Sequence, residues 1–250
     1  GLNLAHLTAD ANGTDGVALH TSDLGGEHTW DSGLPYHLLG PIHVLPGSSL
    51  AIKPGVTVNA HNNLIRVGGT LRAIGTTQQP ITFTAPTPAP GSIVTTSEPG
   101  SWRGLHIYGT AAQPNVGSVL EHVTLEYGGG ERGNLSLEHA QVRIAHSILR
   151  HSSKDGLHAR YAGGTVIERS QIVDNAEFGV QNWVGQQLIL AAHNWWGDAS
   201  GPAHDGGCNA GGTGDRVSDR VAFRPFLTSA DAVPAPLAPG EARLLTLEPR

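Results

Sequence analysis

Ser147-Ile148-Leu149-Arg150-His151-Ser152 is followed, 23 residues on, by Ser170-Gln171-Ile172-Val173-Asp174-Asn175, and after the same interval by His193-Asn194-Trp195-Trp196-Gly197-Asp198. The segments align position for position: Leu149, Ile172 and Trp195 fall in one place, and Ser152, Asn175 and Asp198 in another. Gly133, Gly156 and Gly179 keep the same spacing, and Val123-Thr124-Leu125-Glu126-Tyr127 is an earlier copy after a one-residue slip. A repeat this short, built of strand-forming residues, cannot bury its apolar side alone. It has to stack on its neighbours, which is the logic of a solenoid. Each coil then carries three short strands joined by turns, with apolar residues pointing inward and polar ones outward at the strand period of two. A short polar residue at a turn, such as Asn175, is placed to bond the backbone of the next coil.

The first half agrees. Short apolar pieces recur between turn signals: Ile42-His43-Val44, Leu50-Ala51-Ile52, Val56-Thr57-Val58, Leu64-Ile65-Arg66-Val67, Leu71-Arg72-Ala73 and Ile81-Thr82-Phe83, with Pro46-Gly47, Pro54-Gly55 and Gly68-Gly69 among them. From about residue 36 to 197 there is room for roughly seven coils, or about 34 Å of axis at the ~4.8 Å strand spacing. Pro86 to Ser101, rich in Pro, Thr and Ser, reads as a loop thrown out from one coil. An antiparallel β-sandwich also has many short strands, but the even glycine spacing and the aligned copies favour the solenoid.

Composition narrows the function classes. Glycine is abundant at 34 residues, helix formers are few and Met is absent, which suits short strands and turns. The formal net charge is −6 and the only lysines are Lys53 and Lys154, so the concentrated positive field that nucleic acid requires is missing. No apolar run approaches a membrane span. The single Cys208 rules out an internal disulfide framework. A chain starting at Gly with no Met reads as processed, a fragment, or both, so the lack of a leader does not argue against export.

The run Leu50-Ala51-Ile52-Lys53-Pro54-Gly55-Val56-Thr57-Val58, then Gly69-Thr70-Leu71-Arg72-Ala73-Ile74-Gly75 and Pro80-Ile81-Thr82-Phe83-Thr84, resembles the opening of bacterial surface β-helix proteins. Trp102-Arg103-Gly104-Leu105-His106-Ile107 is similar to the coil that follows in them. Asn194-Trp195-Trp196-Gly197, Ser200-Gly201-Pro202 and Gly214-Asp215-Arg216-Val217-Ser218 resemble their closing segment. The resemblance covers about residues 25 to 227. It implies an all-β chain, a single-stranded right-handed parallel β-helix of the pectate-lyase superfamily with capped ends. Many such proteins are modules of large exported proteins, and a shared fold does not fix function.

Open sheet edges at the ends of a solenoid invite pairing and need caps. Trp195, Trp196, the glycine-rich loop to Gly214 and Val221 to Leu227 would close one end, and Tyr36 to Val44 the other. The organisation expected is an N-terminal extension over 1–33, the β-helix with its cap over 34–227, and a Pro/Ala linker with a strand-like tail over 228–250. Leu2, Leu4 and Leu7 at one end, and Leu244, Leu245 and Leu247 at the other, are candidate assembly residues. They could join neighbouring modules, or identical subunits head to tail in a fibre.

The candidate chemistry lies on one strand stack. His106, Ser136, His158 and Gln181 form one outward row, and Tyr108, Glu138, Arg160 and Trp183 the next. Aromatic rings stack on sugars, and Arg and Glu bond hydroxyls and carboxylates, so these rows are a candidate polysaccharide site. The plainer reading is a solvated face with a Glu138–Arg160 pair, worth little at a surface. No Asn-Thr-Asp, Asp-Asp, Gly-His-Gly or Arg-Ile-Lys of polygalacturonase-like members occurs, and one acid beside Arg160 is too few for a lyase calcium cluster. No catalytic residue is therefore assigned.

Gly128-Gly129-Gly130-Glu131-Arg132-Gly133 matches the dinucleotide glycine pattern but lacks a following helix, so it reads as a turn. His204 and Cys208 are two ligands short of a zinc site. Asp10 to Gly16 departs from a calcium loop, its glycine one place late and no Glu closing it. No metal or cofactor is expected. The resulting expectation is an extracellular or surface-displayed structural or adhesive module, not an enzyme. The alternative is a carbohydrate-active β-helix, either a polysaccharide binder or a weak lyase or hydrolase.

Overall fold

The computed structural model describes residues 16–31, 33–85 and 97–232. Seven coils of three strands follow one another. The first holds β1 (Val17–Leu19), β2 (Ser22–Leu24) and β3 (Glu27–Trp30), and the second β4 (Tyr36–Leu38), β5 (Ile42–Val44) and β6 (Ser49–Ile52). Next come β7 (Thr57–Asn59), β8 (Leu64–Val67) and β9 (Thr70–Ile74), then β10 (Ile81–Thr84), β11 (Gly104–Tyr108) and β12 (Asn115–Glu121). The fifth coil is β13 (Val123–Glu126), β14 (Gly133–Glu138) and β15 (Ala140–Ala145), and the sixth β16 (Ile148–Arg150), β17 (Asp155–Arg160) and β18 (Val166–Glu168). The last is β19 (Gln171–Val173), β20 (Val180–Val184) and β21 (Ile189–Leu190), followed by β22 (Pro202–His204), β23 (Gly214–Val217) and β24 (Val221–Ala222).

Every third strand pairs in parallel, giving sheets of seven, nine and eight strands wound as a right-handed β-helix. The nine-stranded sheet runs β2-β5-β8-β11-β14-β17-β20-β23-β22. No helix among the described residues is long and apolar enough to cross a membrane.

The inward positions stack without a break. Tyr36, Val58, Phe83, Leu125, Leu149 and Ile172 lie opposite one another from coil to coil, all essentially buried. So do Trp30, Ile52, Ala73, Leu120, Ile144 and Ile167. Each such side chain contributes about 1.5–3 kcal/mol by leaving water, except the small alanine.

The last copy of the repeat slips by one residue. Trp195 bridges Gln171, an outward position, and is only half-buried. Trp196 takes the inward place beyond Ile172 and is fully buried. Asn194, not His193, then continues the serine ladder. Val123 N donates to Ser147 Oγ (3.1 Å), Ser147 N to Ser170 Oγ (3.1 Å) and Ser170 N to Asn194 Oδ1 (2.9 Å). Asn175 bonds the neighbouring coil, its Nδ2 donating to Leu149 O (3.0 Å) while Ser152 N donates to its Oδ1 (3.1 Å). Asp198 does not join that column, for it accepts from Ser200 instead, and Asp215 of β23 takes the place.

The glycine repeat also differs from the expected alignment: Gly133 lies opposite Asp155, because the coil from Leu135 to Leu157 is one residue shorter than that from Leu157 to Val180.

The β-helix begins at Val17, inside the stretch expected as an extension, so Tyr36 to Val44 belong to the second coil and do not cover the first. β22 and β23 extend the nine-stranded sheet, Phe223 is buried and Phe226 packs on the core. The run Gly128 to Arg132 is the turn between β13 and β14.

In the later coils the corners are turned by residues at positive φ. His122, His146, Arg169 and His193 succeed one another at one corner, Tyr127, His151 and Asp174 at the second, and His139 and Tyr161 at the third. Rings at these corners stack, His122 on His146 at 5.0 Å and His139 on Tyr161 at 4.6 Å.

Two predictions follow from this packing. Ile172→Ala should cost about 2–5 kcal/mol in a denaturant melt and Trp196→Ala about 3–5 kcal/mol, with Trp195→Ala well below both. A greater loss at Trp195 than at Trp196 would put the final coil in the wrong register. The second concerns Asp215, whose carboxyl burial pushes up to about 6 against the bonds from Asn175. Since the folded carboxyl holds its proton to higher pH than the unfolded one, its stabilising contribution is lost as pH rises from about 4 through 6. Asp215→Asn lacks that loss, so its melting temperature relative to the parent chain should climb across this window and then level off. A constant difference between about pH 4 and pH 7 would contradict the assignment.

Candidate functional site

The outward side of the nine-stranded sheet carries the candidate residues in ladder register. Asp23, His43, Arg66, His106, Ser136, His158 and Gln181 lie opposite one another across seven strands. Tyr108, Glu138 and Arg160 form the second row. That row then breaks. A register shift between Ala159 and Arg160 sets Val184, not Trp183, opposite Arg160. Trp183 therefore leaves the ladder and stands 55% exposed, with the Arg160 guanidinium carbon 5.8 Å from its ring centre. A bulge of this kind re-aims a side chain.

The face is not uniformly wet. Ser136 and His158 are buried, whereas the row was expected to be outward and open. His158 is sunk because Asp155, at the start of the same strand, draws its ring in: Nδ1 lies 2.8 Å from Asp155 Oδ2. Phe178 N donates to the other carboxylate oxygen at 3.1 Å. Burial raises the Asp155 carboxyl above its usual value, and the bonds from His158 and Phe178 oppose that rise.

Toward the N-terminal coils His43 Nε2 meets the Tyr108 hydroxyl at 2.6 Å, and Arg66 lies over the Tyr108 ring at 4.8 Å. Arg66 makes no ion pair among the described residues, which leaves its charge available. His106 is held below its usual pKa first by burial and then by Arg66, with Glu138, 3.9 Å away, opposing. Glu138 accepts from Arg160 at 3.1 Å. Arg160 also faces Tyr161, 46% exposed and stacked on His139. An open groove of about 370 Å³ turns the corner beside these rows, with Ser48, Ser49, Gly68 and Asn115 in its wall. Gly68 is required there, because a Cβ would meet the Tyr108 hydroxyl at 2.8 Å.

The eight residues of the two expected rows thus lie on β11, β14, β17 and β20 of the nine-stranded sheet. The structure adds His43, Arg66, Asp155 and Tyr161. His43 and Arg66 are one repeat apart, but the 40 residues from Arg66 to His106 hid their place in the row, while Tyr161 follows His139 at the interval that separates Arg160 from Glu138. Asp155 had no such signal. The candidate assembly residues Leu2, Leu4, Leu7, Leu244, Leu245 and Leu247 lie outside the described residues, as do Asp10 to Asp15 and most of the loop from Pro86.

Chemically, the face offers cations, aromatic rings and acids with partners: Glu138 on Arg160, Asp155 on His158, and the exposed Asp23 3.5 Å from His43 at the first coil. Among the described residues no group of three His, Cys, Asp or Glu is arranged to hold a metal ion. His204 has both ring nitrogens engaged, Nδ1 accepting from Gly206 N at 2.9 Å and Nε2 3.4 Å from Asp219, and Cys208 is exposed and free.

A family model described as a pectate-lyase-like β-helix domain matches residues 22–185. Neither the curated proteins nor the solved structures yield a match to the chain. The matched span runs from β2 to the residue after β20, through all seven coils and well over half of the sequence. The chain belongs to the pectate-lyase-like β-helix family.

Proposed function

We propose that this chain is an extracellular adhesive module whose nine-stranded face binds an extended acidic polysaccharide without cleaving it. The observation that carries this reading is the exposed Trp183 beside Arg160, on the same face as Tyr108 and the unpaired Arg66. A large ring held in water next to a guanidinium gains nothing for the fold, yet it is the pairing that takes a sugar ring and its charged substituent. From His43 to Gln181 the face spans six strands, about 24 Å at the ~4.8 Å spacing, enough for several sugar units in a row. The committed carboxylates support binding over turnover, because hydrolysis needs two acids poised across one bond.

Binding of polygalacturonate and of an unbiased glycan array, followed by a turnover assay on each hit, tests the reading. Trp183→Ala and Arg160→Ala should each weaken binding about tenfold or more while leaving the melting temperature nearly unchanged. Release of new reducing or unsaturated ends would move the chain to the catalytic alternative. Undiminished binding by both variants would remove the face from consideration.

A further inference from the structure

Two nitrogens on this face are buried without a hydrogen-bond partner among the described residues, His158 Nε2 and Arg160 Nε. Buried polar atoms are normally paired, since each one left without a partner costs free energy. These two sit two residues apart on β17 and face the same side of the sheet. Their hydrogen-bonding characters are opposite when Asp155 holds the His158 proton on Nδ1. Asp155 accepts from Phe178 N through Oδ1 and meets His158 Nδ1 through Oδ2. A carboxylate only accepts, so with Asp155 ionised a proton sits on His158 Nδ1, and in that Nδ1–H tautomer Nε2 presents a lone pair. Arg160 Nε can only donate. The Trp183 ring tilts at 42° beside His158, centre to centre 5.5 Å, and being exposed it is free to yield to a ligand.

We propose that His158, Arg160 and Trp183 form a hydroxyl-reading subsite: a sugar hydroxyl donates to His158 Nε2, an adjacent oxygen accepts from Arg160 Nε, and the ring packs on Trp183. Asp155 is the positioning residue that sets the polarity of His158. This inference rests on the polysaccharide reading and narrows it. A ligand carboxylate has no proton for the Nε2 lone pair, so the charged groups of an acidic polymer are taken elsewhere on the face, where Arg66 is available, and the subsite reads a neutral edge.

Two arms test it. Nitrogen-15 NMR of the free chain should show His158 protonated at Nδ1 and bare at Nε2. In Asp155→Asn the Phe178 N–H still claims Oδ1, so the amide NH₂ turns to His158 and the proton should move to Nε2. In the binding arm, an oligogalacturonate is compared with the same oligomer O-methylated at its ring hydroxyls, which keeps the oxygens and removes the donors. The parent chain should bind the methylated oligomer about tenfold more weakly. Asp155→Asn should bind the unmodified oligomer about tenfold more weakly than the parent and be indifferent to methylation. A proton found on Nε2 of the parent chain overturns the subsite, and so does parent binding that ignores methylation while Trp183→Ala still loses affinity. In that last case the polysaccharide reading survives alone. If the parent chain binds neither oligomer, both fall. Should Asp155→Asn fail to fold, the NMR and methylation results on the parent chain still decide.

Discussion

The molecule depends on the in-register parallel pairing of each coil with the next. No coil owns a core, and Leu149 is buried only because Leu125 lies on one side and Ile172 on the other. Parallel strands can be joined this way only if the chain returns to the same angular position after each circuit, and the corners enforce that return. At the corners of the later coils a residue takes the left-handed conformation, a local cost of about 1–2 kcal/mol that excludes β-branched side chains and favours Asn, Asp and His. Ring stacking between successive corners, such as His139 on Tyr161, and the buried Ser147–Ser170–Asn194 ladder offset part of that cost. The fourth coil shows how strictly the rule holds. It carries its extra length between β10 and β11, yet Phe83 still meets Leu125 and Leu105 still meets Leu135.

Much of this was legible in the sequence because register is a counting problem. The steps Ser136–His158–Gln181 and Glu138–Arg160 follow the repeat to within one residue, while His106–Ser136 and Tyr108–Glu138 span 30 residues, and all of them stand in ladder register. What escaped the count were departures by a single residue. The final copy begins at Asn194, so Trp196 and not Trp195 turns inward. The bulge after Ala159 removed Trp183 from its row. The first coil was missed because Ser22-Asp23-Leu24 and Glu27-His28-Thr29 carry few apolar residues, being only partly buried at the end of the stack. The Asp155–His158 contact crosses three positions of one strand, where alternation would place the two side chains on opposite faces, so no pattern could announce it.

Net charge and local charge point in different directions here. The chain as a whole carries −6, which would repel a polyanion at long range. At physiological ionic strength that repulsion decays over about 8 Å, so the side chains within reach of a docked ligand decide the sign. On the nine-stranded face those include Arg66 and Arg160, together with His106, whose pKa burial holds below the usual value. A weakly charged, aromatic face of this kind selects by geometry more than by attraction, and its on-rate should owe little to steering.

The strand hydrogen bonds of a solenoid run along its axis, one rung to the next. The described chain enters at the first coil and leaves at the capped end, so a pull between its termini loads those bonds in series. Rungs then open one at a time from an end, each yielding at low force and lengthening the tether. A pull on a polymer lying along the nine-stranded face is different, because it loads several rungs at once and shears them in parallel. Under the proposed adhesive role, the same ladder would be compliant along its length and stiff against a ligand on its face.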